Sequence, residues 1–140
     1  MTDSIFRGIA TALITPFRNG EVDYDTFGRL IDWQIENGID ALVICGTTGE
    51  GSTLSDEEHK ACIRFAVERA AGRTVIIAGT GSNDTNYAIN LTKYSCDVGA
   101  DAMLVVTPYY NKATQRGLVE SFYAIADPST KPMIVYNVPS

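Results

Sequence analysis

Five short apolar runs mark the chain: Gly8–Thr15, Ala41–Cys45, Thr74–Gly79, Ala102–Thr107 and Pro132–Asn137. They are dense in Val, Ile, Leu and Ala and show no alternation, which is how strands buried on both faces read. Between them lie four stretches with helical spacing. Phe27, Leu30, Ile31 and Ile35 share a face in the first, and Cys62, Phe65 and Ala66 in the second. Leu91, Tyr94 and Val98 do so in the third, and Leu118, Phe122 and Ile125 in the fourth. Apolar residues recurring every three to four positions give a helix one buried stripe.

The helix ends carry their own signals. Ser55 followed by Glu58 is a capping box, in which each side chain satisfies the other residue's backbone N–H. Gly38, Gly72 and Gly99 stand where the first three helices should stop, as glycines just past a helix end do. Proline closes the first and fourth runs at Thr15-Pro16 and Thr107-Pro108, where no further ladder donor is wanted. The phrases Gly38-Ile39-Asp40-Ala41 and Gly99-Ala100-Asp101-Ala102 repeat one helix-end-to-strand connection. The strands start about 30 residues apart, the length of a βα unit with a right-handed crossover.

Five strands and four helices in this order, over 1–140 with no linker or second domain, fit two architectures. One is a doubly wound, flavodoxin-like sheet. The other is the first half of a (β/α)8 TIM barrel. Length favours the first, and the closing Val138-Pro139-Ser140, with no helix after the last strand, favours the second. On pattern alone they stand equal.

Hydrophobic residues form 45% of the sequence and charged ones 20%, which excludes a disordered chain. No apolar run approaches the ~20 residues that span a bilayer. The opening Met1-Thr2-Asp3-Ser4 shows no basic start and no apolar leader, so no secretion signal is expected. The net charge of −6 and scattered cations argue against nucleic acid and anionic membranes as partners. Three cysteines without a Cys-x-x-Cys pair suggest a reducing cytoplasm rather than a disulfide framework. With one histidine and no Cys/His cluster, no metal site is expected.

In either architecture chemistry sits at the carboxyl ends of the strands. There the sequence places Gly46-Thr47-Thr48-Gly49-Glu50, Gly79-Thr80-Gly81, Pro108-Tyr109-Tyr110-Asn111-Lys112 and Tyr136-Asn137. The set is rich in hydroxyls and nearly free of charge. It lacks the acidic cluster that would hold Mg²⁺, a P-loop and a nucleophile elbow. Gly79-Thr80-Gly81 is a weak match to a dinucleotide fingerprint, so no cofactor is expected. Gly46–Glu50 reads either as a tight βα turn or as a carboxylate cradle built from Thr47, Thr48 and backbone N–H groups. Tyr109 and Tyr110 read either as a packing pair or, for Tyr110, as part of a proton relay with Thr47 and Tyr136. His59 lies on a helix and, taken alone, is expected at a surface or interface. Lys112 is the one lysine near the working edge.

Four phrases in order and in register carry a resemblance: Gly46–Glu50, Ile77–Gly81, Thr107–Asn111 and Val135–Pro139. Over essentially the whole length the chain resembles the dihydrodipicolinate synthase family of Schiff-base aldolases, a superfamily that includes N-acetylneuraminate lyase. Thr47-Thr48 and the Pro108-Tyr109-Tyr110-Asn111 run favour the synthases over the lyases, which tend to Ser-Thr in the first phrase. The resemblance implies a TIM barrel, of which this chain supplies about the first half. It implies condensation of pyruvate with L-aspartate 4-semialdehyde through a lysine imine, in diaminopimelate and lysine biosynthesis, with no cofactor.

By the same resemblance Thr47, Tyr110 and Tyr136 form the proton relay, with Tyr110 crossing into a neighbouring subunit of a homo-oligomer. Thr48 holds the pyruvate carboxylate. His59, Asn83 and Tyr109 match a lysine-inhibitor pocket, in which Tyr87 stands where sensitive members carry a glutamate. The imine-forming lysine of the family lies on a later strand than any in this sequence, so the chain alone is expected to be inactive. Leu13, Val43, Ile44, Val105 and Val135 are expected to line the barrel interior. With that face uncovered and both edge strands open, the chain is expected to associate rather than persist as a monomer.

Overall fold

The computed structural model describes residues 4–138, so Met1–Asp3, Pro139 and Ser140 lie outside the described residues, and with them parts of the opening and closing phrases. The five apolar runs form one parallel sheet from β1 (Ala10–Ala12), β4 (Ala41–Ile44), β5 (Val75–Gly79), β6 (Ala102–Val106) and β7 (Met133–Tyr136). Its order is β1-β4-β5-β6-β7, each strand beside its predecessor in the βα series. A flavodoxin-like sheet would place the second strand of that series at an edge, outside the first. The sequential order is that of a barrel segment, so the doubly wound alternative fails.

Helices α1 (Tyr24–Glu36), α2 (Asp56–Ala70), α3 (Thr85–Asp97) and α4 (Gln115–Ala126) complete the βα units. The capping box at Ser55 and Glu58 is formed in full. Gly38 and Gly99 follow the first and third helices at φ 79° and 95°, backbone that glycine enters at no steric cost. The second helix ends one residue earlier than its glycine suggests, with Ala71 itself left-handed at φ 47° before Gly72.

The pattern missed a hairpin. Strands β2 (Phe17–Arg18) and β3 (Glu21–Val22) pair antiparallel across Asn19-Gly20, both with positive φ. Asn-Gly is the strongest short hairpin signal, because a type I′ turn needs positive φ at both central residues.

Most of the core lies between the sheet and the helices. Leu13, Ile44 and Val105 are buried there with Phe27, Ile31, Ile63 and Leu91. The expected inner-face set is therefore corrected: these three belong to the helix side. Val135, paired with Val105, shares that side and is 54% exposed at the sheet's edge. Val43 alone of the five was placed correctly. The inner face is built from Ala41, Ile77 and Ala102 with Val43, Val75, Leu104 and Ile134, and Ile5 and Phe6 pack against it. Strands buried on both faces carry no alternation from which the two faces could be told apart.

The repeated phrase has a structural reason. Asp40 accepts a hydrogen bond from the Ile9 N–H at 2.8 Å, and Asp101 accepts one from the Ile76 N–H at 2.8 Å. Each aspartate thus satisfies the backbone at the amino end of the neighbouring strand.

Candidate functional site

The site begins where β4 ends. Cys45 turns into left-handed backbone at φ 56°, and Glu50 does the same five residues on. Between them Gly46–Glu50 forms a turn closed by two backbone bonds, Glu50 N–H to Thr47 C=O at 3.1 Å and Gly51 N–H to Gly46 C=O at 3.3 Å. Left-handed backbone is uncommon outside glycine and persists where the surroundings enforce it. Here the enforcement is close packing on the Cys45 carbonyl. A Cβ at Gly51 would stand 2.2 Å from that oxygen, and one at Gly79 2.5 Å. Only glycine lets the turn and the end of β5 meet there. Gly51, just after the first quoted phrase, and Gly79, within the second, thus serve a shared close approach.

Beyond this edge opens a cavity of about 800 Å³, of the size that holds a small ligand. Its floor is the inner-face pair Leu104 and Val106, and its walls carry the hydroxyls of Thr47, Ser52, Thr107, Tyr109, Tyr110 and Tyr136. Tyr136 ends β7 on the inner face, in register with Val106. Its carbonyl accepts the Thr107 N–H at 2.9 Å, which ties two of the walls together. Tyr110 stands at the rim, 96% exposed, on left-handed backbone with φ 70°. Its loop is fastened by the Asn111 amide, which donates to the Asn83 carbonyl at 3.1 Å.

Thr47, Tyr110 and Tyr136 therefore share one cavity. The described residues show no hydrogen bond between their side chains, which stand as three separate hydroxyls. Thr48 is exposed and does not line the cavity. Lys112 does line it, as its only formally charged side chain among the described residues. Ser52 and the α4 residues Gln115 and Leu118 also line it; the sequence offered none of them as a site residue and placed Leu118 only on its helix's apolar stripe. The signal for Ser52 was its place directly after the Gly46–Gly51 turn. Gln115 and Leu118 gave none, because which helix overhangs a strand edge is a tertiary fact.

His59 is not a surface residue. It is 3% exposed, and its Nε2–H donates to the Gly79 carbonyl at 2.9 Å. Its Nδ1 then accepts from the Tyr87 hydroxyl at 3.3 Å. Burial lowers its pKa, which keeps the ring neutral and agrees with that tautomer. Burial also pushes the Tyr87 phenol up to about 12, so it remains a donor. His59 lines the large cavity on one side and a smaller one of about 240 Å³ on the other. The smaller cavity brings together His59, Asn83, Tyr109 and Tyr87 with the carboxylate of Asp56.

Behind the Gly46–Glu50 turn, the neighbouring Cys62 thiol and burial raise the Cys45 pKa and keep it a neutral S–H. The three cysteines are free, with Cys45 and Cys62 buried. Among the described residues no group of three His, Cys, Asp or Glu side chains is placed to hold a metal ion. No helix there is long and apolar enough to cross a membrane.

This arrangement has close counterparts. The chain is 56% identical over 139 residues to the 4-hydroxy-tetrahydrodipicolinate synthase of Acetivibrio thermocellus, covering 99% of itself and 48% of that protein. It superposes on the crystal structure of dihydrodipicolinate synthase from Aquifex aeolicus with a TM-score of 0.94 at 56% identity, covering 96% of itself and 46% of that chain. The enzyme of Cyanidioschyzon merolae, solved with lysine bound, gives a TM-score of 0.93 at 42% identity over 98% of this chain and 47% of that one. The chain thus spans about half the length of the relatives it matches, and corresponds to the amino-terminal half of their TIM barrel. The dihydrodipicolinate synthetase family matches residues 5–140. The chain belongs to that family.

Proposed function

We propose that this chain is the amino-terminal half of a 4-hydroxy-tetrahydrodipicolinate synthase, a carbon–oxygen lyase of diaminopimelate and lysine biosynthesis. Its substrates are pyruvate and L-aspartate 4-semialdehyde, joined through a lysine imine. The observation that carries this reading is the hydroxyl-walled cavity at the carboxyl edge of a barrel segment, where Thr47, Tyr110 and Tyr136 meet.

Tyr136, at the end of β7, is the group that gives and takes the proton at the reacting carbon. Thr47 and Tyr110 pass it toward solvent, and the nearly full exposure of Tyr110 supports a place at the outer end. A hydroxyl chain suits this work because phenols stay protonated at neutral pH and act as acid and base only when linked. The turn holding Thr47 and Thr48 receives the pyruvate carboxylate, with Thr48 swinging in from its exposed position. Lys112 reaches the cavity from the loop between β6 and α4 and not from a strand end, so it does not form the imine. The nucleophile comes from the barrel half beyond these residues, and the chain alone is inactive. The enzyme works in the cytoplasm and needs no cofactor.

Its partner is a second copy of the same protein, with Tyr110 entering the neighbour's site. Ile5 and Phe6 cover the inner face, so the support for association of the chain by itself comes from the open edges, where Ile9 and Val135 are exposed. Light scattering should give more than one chain per particle, and a stable monomer would refute this. The smaller cavity is a lysine-inhibitor pocket weakened by Tyr87, whose ring fills space beside His59 and brings no charge for an ammonium group. Borohydride reduction in the presence of pyruvate tests the enzyme reading directly. The complete synthase should yield a stable lysine adduct, and its absence would sink the proposal.

A further inference from the structure

The two left-handed residues that bracket Gly46–Glu50 store backbone strain, so something must hold the turn in place. Its own two backbone bonds close it internally but do not attach it to the barrel. Thr53 holds the Glu50 carbonyl from the chain side, and among the described residues one side-chain bond ties the turn to the first apolar run. Thr15, at the end of the first apolar run, donates its hydroxyl to the Gly49 carbonyl at 2.7 Å. Thr15 is 4% exposed, so the bond is buried. Gly49 is packed to match: a Cβ there would sit 3.0 Å from the Leu13 carbonyl oxygen and 3.0 Å from the Cys45 backbone. The Thr15 hydroxyl also has the protonated Cys45 thiol as a neighbour. One hydroxyl therefore ties the end of β1 to the turn that carries the two threonines.

We infer that Thr15 is a positioning residue: its buried hydroxyl bond to the Gly49 carbonyl holds the strained Gly46–Glu50 turn so that Thr47 lines the cavity and Thr48 stands beside it, within reach of a carboxylate. It touches no substrate and acts through the turn. This rests on the proposed function for the identity of the carboxylate, and on the geometry alone for the anchoring. Without the hydroxyl, a buried carbonyl loses its partner and the turn relaxes away from β1. The methyl of Thr15 plays no part in the bond, so serine should serve as well as threonine, and valine, which has the same shape, should not.

The test compares Thr15→Val, Thr15→Ser and Thr15→Ala in the full 140-residue chain. Amide exchange at Glu50 and Gly51 reports on the turn, and titration with pyruvate, followed by the same amide resonances, reports on the site. In Thr15→Val the two amides should exchange at least about tenfold faster and pyruvate should bind about tenfold more weakly. Thr15→Ser should restore both to near the parent's values. Unchanged amides in Thr15→Val would overturn the inference, as would a Thr15→Ser chain as loose as the valine one. Loss of the fold in both Thr15→Val and Thr15→Ala would also overturn it, because the hydroxyl would then support the whole barrel segment. If the parent chain shows no response to pyruvate, binding needs the other half of the barrel, and the exchange rates alone decide the role of Thr15.

Discussion

The two edges of the sheet spend their polar groups in opposite ways. At the amino edge, Asp40 and Asp101 occupy equal places in a repeated phrase, and each accepts a backbone N–H at the start of the neighbouring strand at 2.8 Å. Their carboxylates are committed to the backbone. At the carboxyl edge, the side-chain hydroxyls of Thr47, Tyr110 and Tyr136 face a cavity with no hydrogen bond to one another, and left-handed Cys45, Glu50 and Tyr110 stand beside them. One edge holds its carboxylates paired to the backbone; the other holds unspent donors beside three left-handed residues. Groups left available at a cost in strain mark the working edge of a βα barrel, and groups paired to the backbone mark the supporting one.

Substitutions should separate the two edges cleanly. The largest effect is expected from Tyr136→Phe, measured in a chimera in which this chain replaces the matching half of the Acetivibrio thermocellus synthase. Loss of a positioned acid or base should lower turnover roughly 10²–10⁴-fold, with little change in melting temperature because the ring remains. Near-normal turnover would remove Tyr136 from the relay. Asp101→Ala should do the reverse. It leaves the Ile76 N–H without its partner, at a cost of about 1–3 kcal/mol in denaturant unfolding, while the chimera's turnover per folded molecule stays close to the parent's. A fall in turnover comparable to that of Tyr136→Phe would erase the distinction between the edges.

The smallest effect concerns the side cavity. The parent chimera should be nearly insensitive to lysine, and Tyr87→Glu should strengthen inhibition about tenfold by supplying a carboxylate for the ammonium group. Strong lysine inhibition of the parent would show that Tyr87 does not weaken the pocket.

Much of this was legible in the sequence, and the failures have physical causes. Strands, helices and the Ser55 cap followed from local periodicity and hydrogen-bonding chemistry, which act within a few residues. The hairpin at Asn19-Gly20 was equally local, but its two-residue strands gave no apolar run to search for. The faces of the strands were not legible: Leu13, Ile44 and Val105 look like Val43 because both sides of the sheet are apolar. His59 was misplaced because its helix is polar in composition, and its burial depends on the Gly79 carbonyl arriving from another strand. At the site, the strand-end phrases located Thr47, Tyr110 and Tyr136 in one cavity. The outward turn of Thr48 and the anchoring by Thr15 depend on the path of the backbone through left-handed Cys45, which no residue type announces.

The central claim is that this edge handles pyruvate while its covalent chemistry comes from the other half of the barrel. Pyruvate and borohydride, followed by peptide mass mapping, test it on the chain alone and on the chimera. The expected result is no adduct on the 140-residue chain and one adduct on the chimera, at a lysine outside these residues. An adduct on Lys112, or none on either protein, would contradict it.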